Sequence, residues 1–426
     1  MEHMEHRYIE KLTPVPEALR LLEERVSRVG VLGEVPVWDS VGLVAASDIV
    51  APHDWPPRPK SAYDGYAVRH TDVPGRLRLV GEALIGRVDV GLKVGPGEAA
   101  YVTTGAYLPE GADAVVPEED VKVEGDYIVV EREVEKWANV DPPGSIVARG
   151  QVLLEEGTVI SPPDVVGLLD VGVTSVRVYR PVRLSIVSTG DELFTPSDPA
   201  EARERILKGE VAATTGDLLL WFMSTYMPWV EVVDTALLPD ERRAVAWVVR
   251  RLLERSDIVL LTGGSGPSNI DLFYQLKSEL GGDLIFRGLY VKGGRPTSAY
   301  IVEGKPVIGL SGYPLSALHA FIRLVYPLLK YMGRVKRAHP PLPLVEARLA
   351  EPLKAGRPRP IKVRVERRGG EYWAYPLESR LQLTSAIVGL SMADGILFTG
   401  DKPMERGEKA LVLLYKEHRG EPLHPT

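Results

Sequence analysis

Four short apolar runs, three of them closed by a small-residue loop, constrain this chain more than any other feature. Val182 to Ser188 runs into Thr189-Gly190, Glu231 to Asp234 is a second run, Ile258 to Leu261 ends at Thr262-Gly263-Gly264, and Val307 to Leu310 ends at Ser311-Gly312. Helical patterns follow at Ala244 to Arg255, Ile270 to Leu280 and Leu315 to Lys330. Strands this apolar are buried on both faces, and their alternation with helices predicts a doubly wound parallel α/β sheet. Ligands in such sheets bind outside the carboxyl ends of the strands, so the loops at Gly190, Pro239-Asp240 and Gly263 to Ser268 are the expected site.

A chain of 426 residues exceeds one core, and about 100 to 200 residues per domain gives two to four domains. From Thr13 to Val29, Ala18, Leu19, Leu22, Val26 and Val29 recur at helical spacing, with Pro14 ahead and Gly30 behind. Four prolines between Pro52 and Pro59 force an extended linker. Tyr63 to Pro143, rich in Val and Gly with turn signals at Gly75, Gly95 to Gly97 and Glu124 to Asp126, predicts a small all-β module. Ser161 to Val178 then reads as a capped helix and a strand, so the module looks inserted into a domain that begins with the N-terminal helix. After Lys330, a linker with Pro340, Pro341 and Pro343 leads to short strands such as Ile361 to Arg367 and Ala410 to Tyr415, a second all-β domain.

The remaining composition works by exclusion. A net charge of -7 argues against a nucleic-acid binder, which needs a clustered cationic surface. No run near 18 apolar residues is present to span a membrane, and Met1 to Glu10 has no secretory apolar core, so a cytoplasmic location is expected. Cysteine is absent, which removes disulfides and thiolate chemistry. His3 and His6 form the sole histidine pair at ligand spacing, and neither a Gly-x-Ser-x-Gly elbow nor a complete P-loop occurs. Zero cysteine and 35 prolines suit a thermophile.

Glycines in the strand-end loops let backbone approach a ligand, and the following helix N-termini offer N–H donors to a phosphate. Asp191, Glu192, Asp240 and Asp271 lie in or just after these loops and suit Mg²⁺; each taken singly also suits a helix cap or first turn. Lys292 and Arg295, within Val291-Lys292-Gly293-Gly294-Arg295-Pro296, either supply positive charge to the ligand or form a solvated turn. Ser61 to Tyr66 and Thr103 to Asp113 read, by themselves, as ordinary turns.

In order along the chain, SAYDGYAV from Ser61, TTGAYLPEGADAVV from Thr103, the stretch from Gly144 to Gly157, STGDEL from Ser188, TGG at Thr262 and KGGRP from Lys292 resemble the molybdopterin molybdenumtransferase family, which includes the E domain of gephyrin. The likeness runs from about Leu12 to Tyr415. It implies a discontinuous first domain (8–52 and 144–178), an inserted β module (53–143), a molybdopterin-binding α/β domain like the molybdopterin adenylyltransferases (179–334) and a C-terminal β barrel (335–426). It also implies a homodimer in which the β module of one chain completes the site of the other. The implied reaction is Mg²⁺-dependent insertion of molybdate or tungstate into adenylylated molybdopterin (molybdopterin-AMP), with release of AMP; an adenylyltransferase is the implied partner.

Carried over by position, the resemblance gives catalytic roles to Asp64, Thr104, Asp240 and Lys292, and metal binding to Glu192, Asp240 and Asp271. Substrate binding falls to Gly190, Gly263, Gly264, Ser265, Ser268, Arg287, Arg295, Ser311 and Gly312. The chain departs from the family's pattern at Asp141, Ser145, Ile146, Ala213, Thr215, Gly288 and Tyr313. Two readings follow: an active transferase in which Arg287 and Arg295 supply missing charge, or a diverged non-catalytic paralogue that binds molybdopterin or acts as an assembly scaffold.

Overall fold

A computed structural model describes residues 12–87, 91–263, 276, 279–417 and 419–420. Its central layer is a six-stranded sheet in the order Val230–Leu238, Val182–Thr189, Ile258–Gly263, Lys305–Leu310, Ser298–Val302, Asp283–Arg287. The first four strands are parallel, as the apolar runs predict. Ser298–Val302 runs antiparallel to both its neighbours, Lys305–Leu310 and Asp283–Arg287, so the sheet is mixed where the sequence predicts a parallel one. The reason is local. Val302 pairs with Lys305 across Glu303-Gly304, whose φ values of 50° and 78° are those of a two-residue hairpin turn, and a connection this short joins only antiparallel strands.

Helix Arg242–Leu253 covers one face of the sheet through Val245, Val249 and Leu252. Helix Thr214–Tyr226 and the helical run Pro314–Met332 cover the other. That run passes through a π turn at Phe321–Val325, just before Pro327, whose ring and missing N–H disrupt a regular helix one turn back.

The N-terminal helix spans Val15–Glu23, shorter than its periodicity predicts. Val26 and Val29 are nevertheless buried, because the chain after the helix stays on the same apolar surface and the Val29 N–H donates to the Met332 carbonyl. Ala18 and Leu22 share the core beneath Pro314–Met332, so this helix packs with the α/β layer.

The β module is a six-stranded sheet in the order Ala114–Pro117, Gly65–Val68, Glu98–Val102, Gly75–Ala83, Tyr127–Val130, Val121–Glu124. Gly75 opens a strand there, where the sequence suggests a turn. On either side of the module, Ile49–Val50 pairs with Val152–Leu154 and Val31–Pro36 pairs with Ser175–Tyr179. The chain thus leaves and re-enters one small unit, completed by helix Pro162–Asp170 with its Ser161/Asp164 capping box.

In the C-terminal region, Glu371–Pro376, Leu344–Leu349, Lys409–Leu414, Gly395–Phe398 and Pro360–Arg368 pair in turn. The last strand pairs back to the first, which closes a five-strand barrel around Leu349, Val363, Val365 and Val412. Among the described residues no helix is long and apolar enough to cross a membrane.

Candidate functional site at the carboxyl ends of the central strands

Register brings the loops together. Thr189 lies opposite both Leu238 and Gly263, and Thr262 lies opposite Leu310, so neighbouring parallel strands end at one level. Above them is a hollow of about 240 Å³, somewhat below the ~300 to ~1,000 Å³ usual for ligand clefts. Its walls include Glu192, Thr215, Thr262, Gly263, Tyr313 and Ile387.

Glycine is required at its floor. A Cβ on Gly263, whose φ is +102°, would stand 2.0 Å from the Thr189 carbonyl oxygen, and one on Gly312 would stand 3.3 Å from the Gly263 Cα. Two backbones therefore meet without intervening side chains. The Ser188 and Thr262 hydroxyls are 3.0 Å apart, and the Thr215 hydroxyl donates to the Gly312 carbonyl at 2.5 Å. These bonds tie three loops into one rim.

The acids approach the rim from one side. Glu192 is exposed on the wall of the hollow. The neighbouring carboxylate of Asp191 accepts the Asp240 backbone N–H at 3.1 Å, which clasps the two acidic loops together. The Gly190 N–H donates to the Leu238 carbonyl, and a side chain at Gly190 would collide with Leu193 and the Glu192 carboxylate. Ser311 is buried, and its hydroxyl accepts the Tyr313 N–H at 3.2 Å. Gly264, Ser265, Ser268 and Asp271 lie outside the described residues; among the described residues no three carboxylates or histidines are placed to hold a metal ion together.

The expected cations come from the other side. Arg287 is opposite Ser298, which is opposite Gly309, so the 288–297 loop rises from the same end of the sheet. Three strand spacings, roughly 14 Å, separate the Ser298–Val302 and Val182–Thr189 strands. A ligand touching both acids and cations must therefore be extended, with two ends.

The loop itself is held firmly. The Lys292 N–H donates to the Pro358 carbonyl at 2.8 Å, and His319 Nδ1 lies 2.7 Å from the Gly293 carbonyl. His319 is 1% exposed and stacks on Phe398. Burial pulls its pKa down to about 4 despite the Gly293 carbonyl, and Arg323 nearby pushes it the same way. A neutral imidazole next to a carbonyl must donate through Nδ1. Lys292 is exposed and Arg295 half-buried, with its Nε hydrogen-bonded to none of the described residues.

Asp64 and Thr104 are brought together in the β module. The Thr104 N–H donates to the Asp64 carboxylate at 2.5 Å, and the Gly105 N–H donates to the Ser61 carbonyl at 2.7 Å. The Thr104 amide, then its hydroxyl, holds the Asp64 carboxyl below the usual carboxylate range. None of the module's described residues lines the hollow of the same chain. Sequence reasoning missed Ile387, which reaches the hollow from the C-terminal region and carries no chemical signature of its own.

Residues 13–172 match the MoeA N-terminal region (domain I and II), and residues 185–331 match a probable molybdopterin binding domain. A putative molybdopterin biosynthesis protein of Methanocaldococcus jannaschii is 30% identical over 74% of this chain and 79% of its own. The molybdopterin molybdenumtransferase of Bacillus subtilis is 29% identical over 97% of this chain and 96% of its own. The crystal structure of the molybdopterin biosynthesis MoeA protein of Pyrococcus horikoshii superposes with a TM-score of 0.76 at 29% identity, covering 95% of this chain and 100% of that one.

Proposed function

Because the chain belongs to the molybdopterin molybdenumtransferase family and serves molybdenum cofactor biosynthesis, we propose that it inserts molybdate, or tungstate in its place, into adenylylated molybdopterin and releases AMP. The observation that carries this reading is the strand-end hollow, with bare glycine backbone on its floor, Glu192 on one wall and a cationic loop farther along the same sheet end. An extended, phosphate-linked pair of ring systems matches that layout.

Cleaving a phosphoanhydride asks a protein for placed charge more than for covalent work. Lys292 and Arg295 neutralise phosphate oxygens, the first as a mobile point charge and the second as a planar fork. His319 keeps their loop in place, and Gly263 and Gly312 admit the ligand to backbone distance. Glu192 and Asp240 offer hard carboxylate oxygens, a donor set that fits Mg²⁺ because that ion takes one or two carboxylates and keeps its remaining water. Asp271 joins them in this reading. When bound, the ion would supply neutralisation of phosphoryl charge.

In the homodimer that completes this proposal, the β module of the partner subunit brings a second copy of the Asp64 and Thr104 pair to the reacting end. Asp64 remains a carboxylate at every physiological pH, because its partner amide stabilises the charged form. The sequence-based division into a discontinuous domain, a β module, an α/β domain and a barrel belongs to this proposal. So do a cytoplasmic location and delivery of substrate by a molybdopterin adenylyltransferase.

The test is AMP release by purified protein mixed with adenylylated molybdopterin, Mg²⁺ and either molybdate or tungstate. Metal- and oxyanion-dependent AMP formation is expected, and Asp240→Asn should abolish it. Tight pterin binding with no AMP formed would overturn the enzyme reading in favour of a scaffold.

A further inference from the structure

Lys362 has an unusual place for a cation. It is fully buried within the strand Pro360–Arg368, and its ammonium donates to three backbone carbonyls: Leu381 at 2.5 Å, Ala386 at 2.7 Å and Leu383 at 3.2 Å. Those three bonds use every donor that a lysine ammonium has. Burial pushes its pKa down.

Gln382 repeats the clamp on the backbone. Its side chain accepts the Lys362 N–H at 3.0 Å and donates to the Lys362 and Leu377 carbonyls. The segment from Leu377 to Ala386 thus wraps around one side chain. Gly389 closes the cage, since a Cβ there would sit 2.9 Å from the Lys362 Nζ and 2.7 Å from the Leu381 carbonyl oxygen.

A buried cation is a costly way to fill space, and leucine or methionine would pack a barrel wall more cheaply. What an apolar side chain lacks is the means to hold three carbonyls of a segment that runs from the short helix Ser379–Gln382 into a turn. That segment leads straight into Ile387, which lines the hollow together with Glu192 and Gly263. We propose that Lys362 is a positioning residue for the pterin nucleotide site: it fixes the 381–387 segment so that Ile387 forms an apolar wall against the ligand, and the C-terminal barrel thereby takes part in binding.

This inference rests on the proposed ligand, and the test keeps the two separable. Direct binding of adenylylated molybdopterin to the full-length protein is measured by pterin fluorescence without Mg²⁺ or oxyanion, and AMP release is measured separately. Ile387→Ala, Lys362→Met and Gly389→Ala should each weaken binding about fivefold or more. At saturating substrate, kcat should stay within about twofold. Lys362→Met combined with Ile387→Ala should bind no worse than the weaker single variant, because both changes remove the same wall.

Gly389→Ala disturbs the cage while retaining the cation, so it serves if Lys362→Met does not fold. A purely structural role would lower the unfolding temperature and leave Kd within twofold of wild type in Gly389→Ala and in every folded variant; that result overturns the proposal. Wild-type protein that binds but forms no AMP would sink the enzyme reading alone, whereas wild-type protein that does not bind would sink both.

Discussion

Gly263→Ala puts the backbone-built floor of the hollow under direct strain. The added Cβ would stand 2.0 Å from the Thr189 carbonyl oxygen, whereas carbon and oxygen rest at about 3.3 Å or more. One of two adjacent strand ends must therefore shift by about 1 Å. Crowding of this kind costs roughly 1–3 kcal/mol, and holding alanine at a φ of +102° costs roughly another 1–3 kcal/mol. For a unit of about 150 residues, where 1 kcal/mol moves the midpoint by roughly 2–4 °C, the α/β transition should fall by about 5–20 °C. Gly304→Ala is the internal control: its φ is +78° but nothing lies within 4 Å, so only the conformational cost of about 1–2 kcal/mol applies. Scanning calorimetry of both variants, read on the α/β transition because a multidomain chain does not unfold in one step, decides the matter. Midpoints within 2 °C of each other would refute the claim that contact with Thr189 sets the floor.

Three further outcomes follow from particular groups. His319 has its folded pKa lowered to about 4, so its stabilisation is complete above the unfolded value of 6.5, declines as pH falls from there to about 4, and totals roughly 3 kcal/mol; His319→Asn keeps a donor for the Gly293 carbonyl and should flatten melting temperature over that window, whereas parallel curves would contradict the assignment. For Asp257, burial raises the carboxyl, but the paired bonds from Arg180 at 2.6 and 2.7 Å and the Arg183 N–H outweigh it, leaving the pKa lowered. Its contribution is present above the unfolded value and lost as pH drops through the folded one, and Asp257→Asn should cost about 1–2 kcal/mol at pH 7 by urea unfolding, with no change speaking against the pair. Asp64→Asn keeps an oxygen for the Thr104 N–H, so thermal stability should hold while AMP release falls by about 100-fold; unaltered turnover would remove Asp64 from the reaction.

The four consecutive parallel strands of the central sheet are readable because Val182–Thr189 and Ile258–Gly263 bury nearly every residue, and a short run apolar on both faces fits a central strand far better than a surface one. Asp283–Arg287 and Ser298–Val302 were not readable, since Gly281, Gly282, Gly288, Gly293 and Gly294 around them resemble loop. Apolar periodicity reports burial and not backbone, which is why the N-terminal pattern ran past Glu23 into Val26 and Val29. Helices Pro199–Leu207 and Thr214–Tyr226 escaped as well: the first has no buried residue, and the second is too uniformly apolar to show a stripe. At the site, Glu192 and Asp240 could be linked from sequence because strand ends share an edge. Asp64 and Thr104 are 40 positions apart, and only the folded β module makes them neighbours. Ile387 sits in the turn before helix Val388–Met392, in the C-terminal region and outside the central sheet whose hollow it lines.

A crystal structure of the protein grown with AMP and Mg²⁺ puts the strand-end site to the sharpest trial. Nucleotide phosphate is expected in the hollow, at backbone distance from Gly263 and Gly312, with the metal on Glu192 and Asp240. A well-ordered nucleotide bound elsewhere, with that hollow holding only solvent, would contradict the assignment.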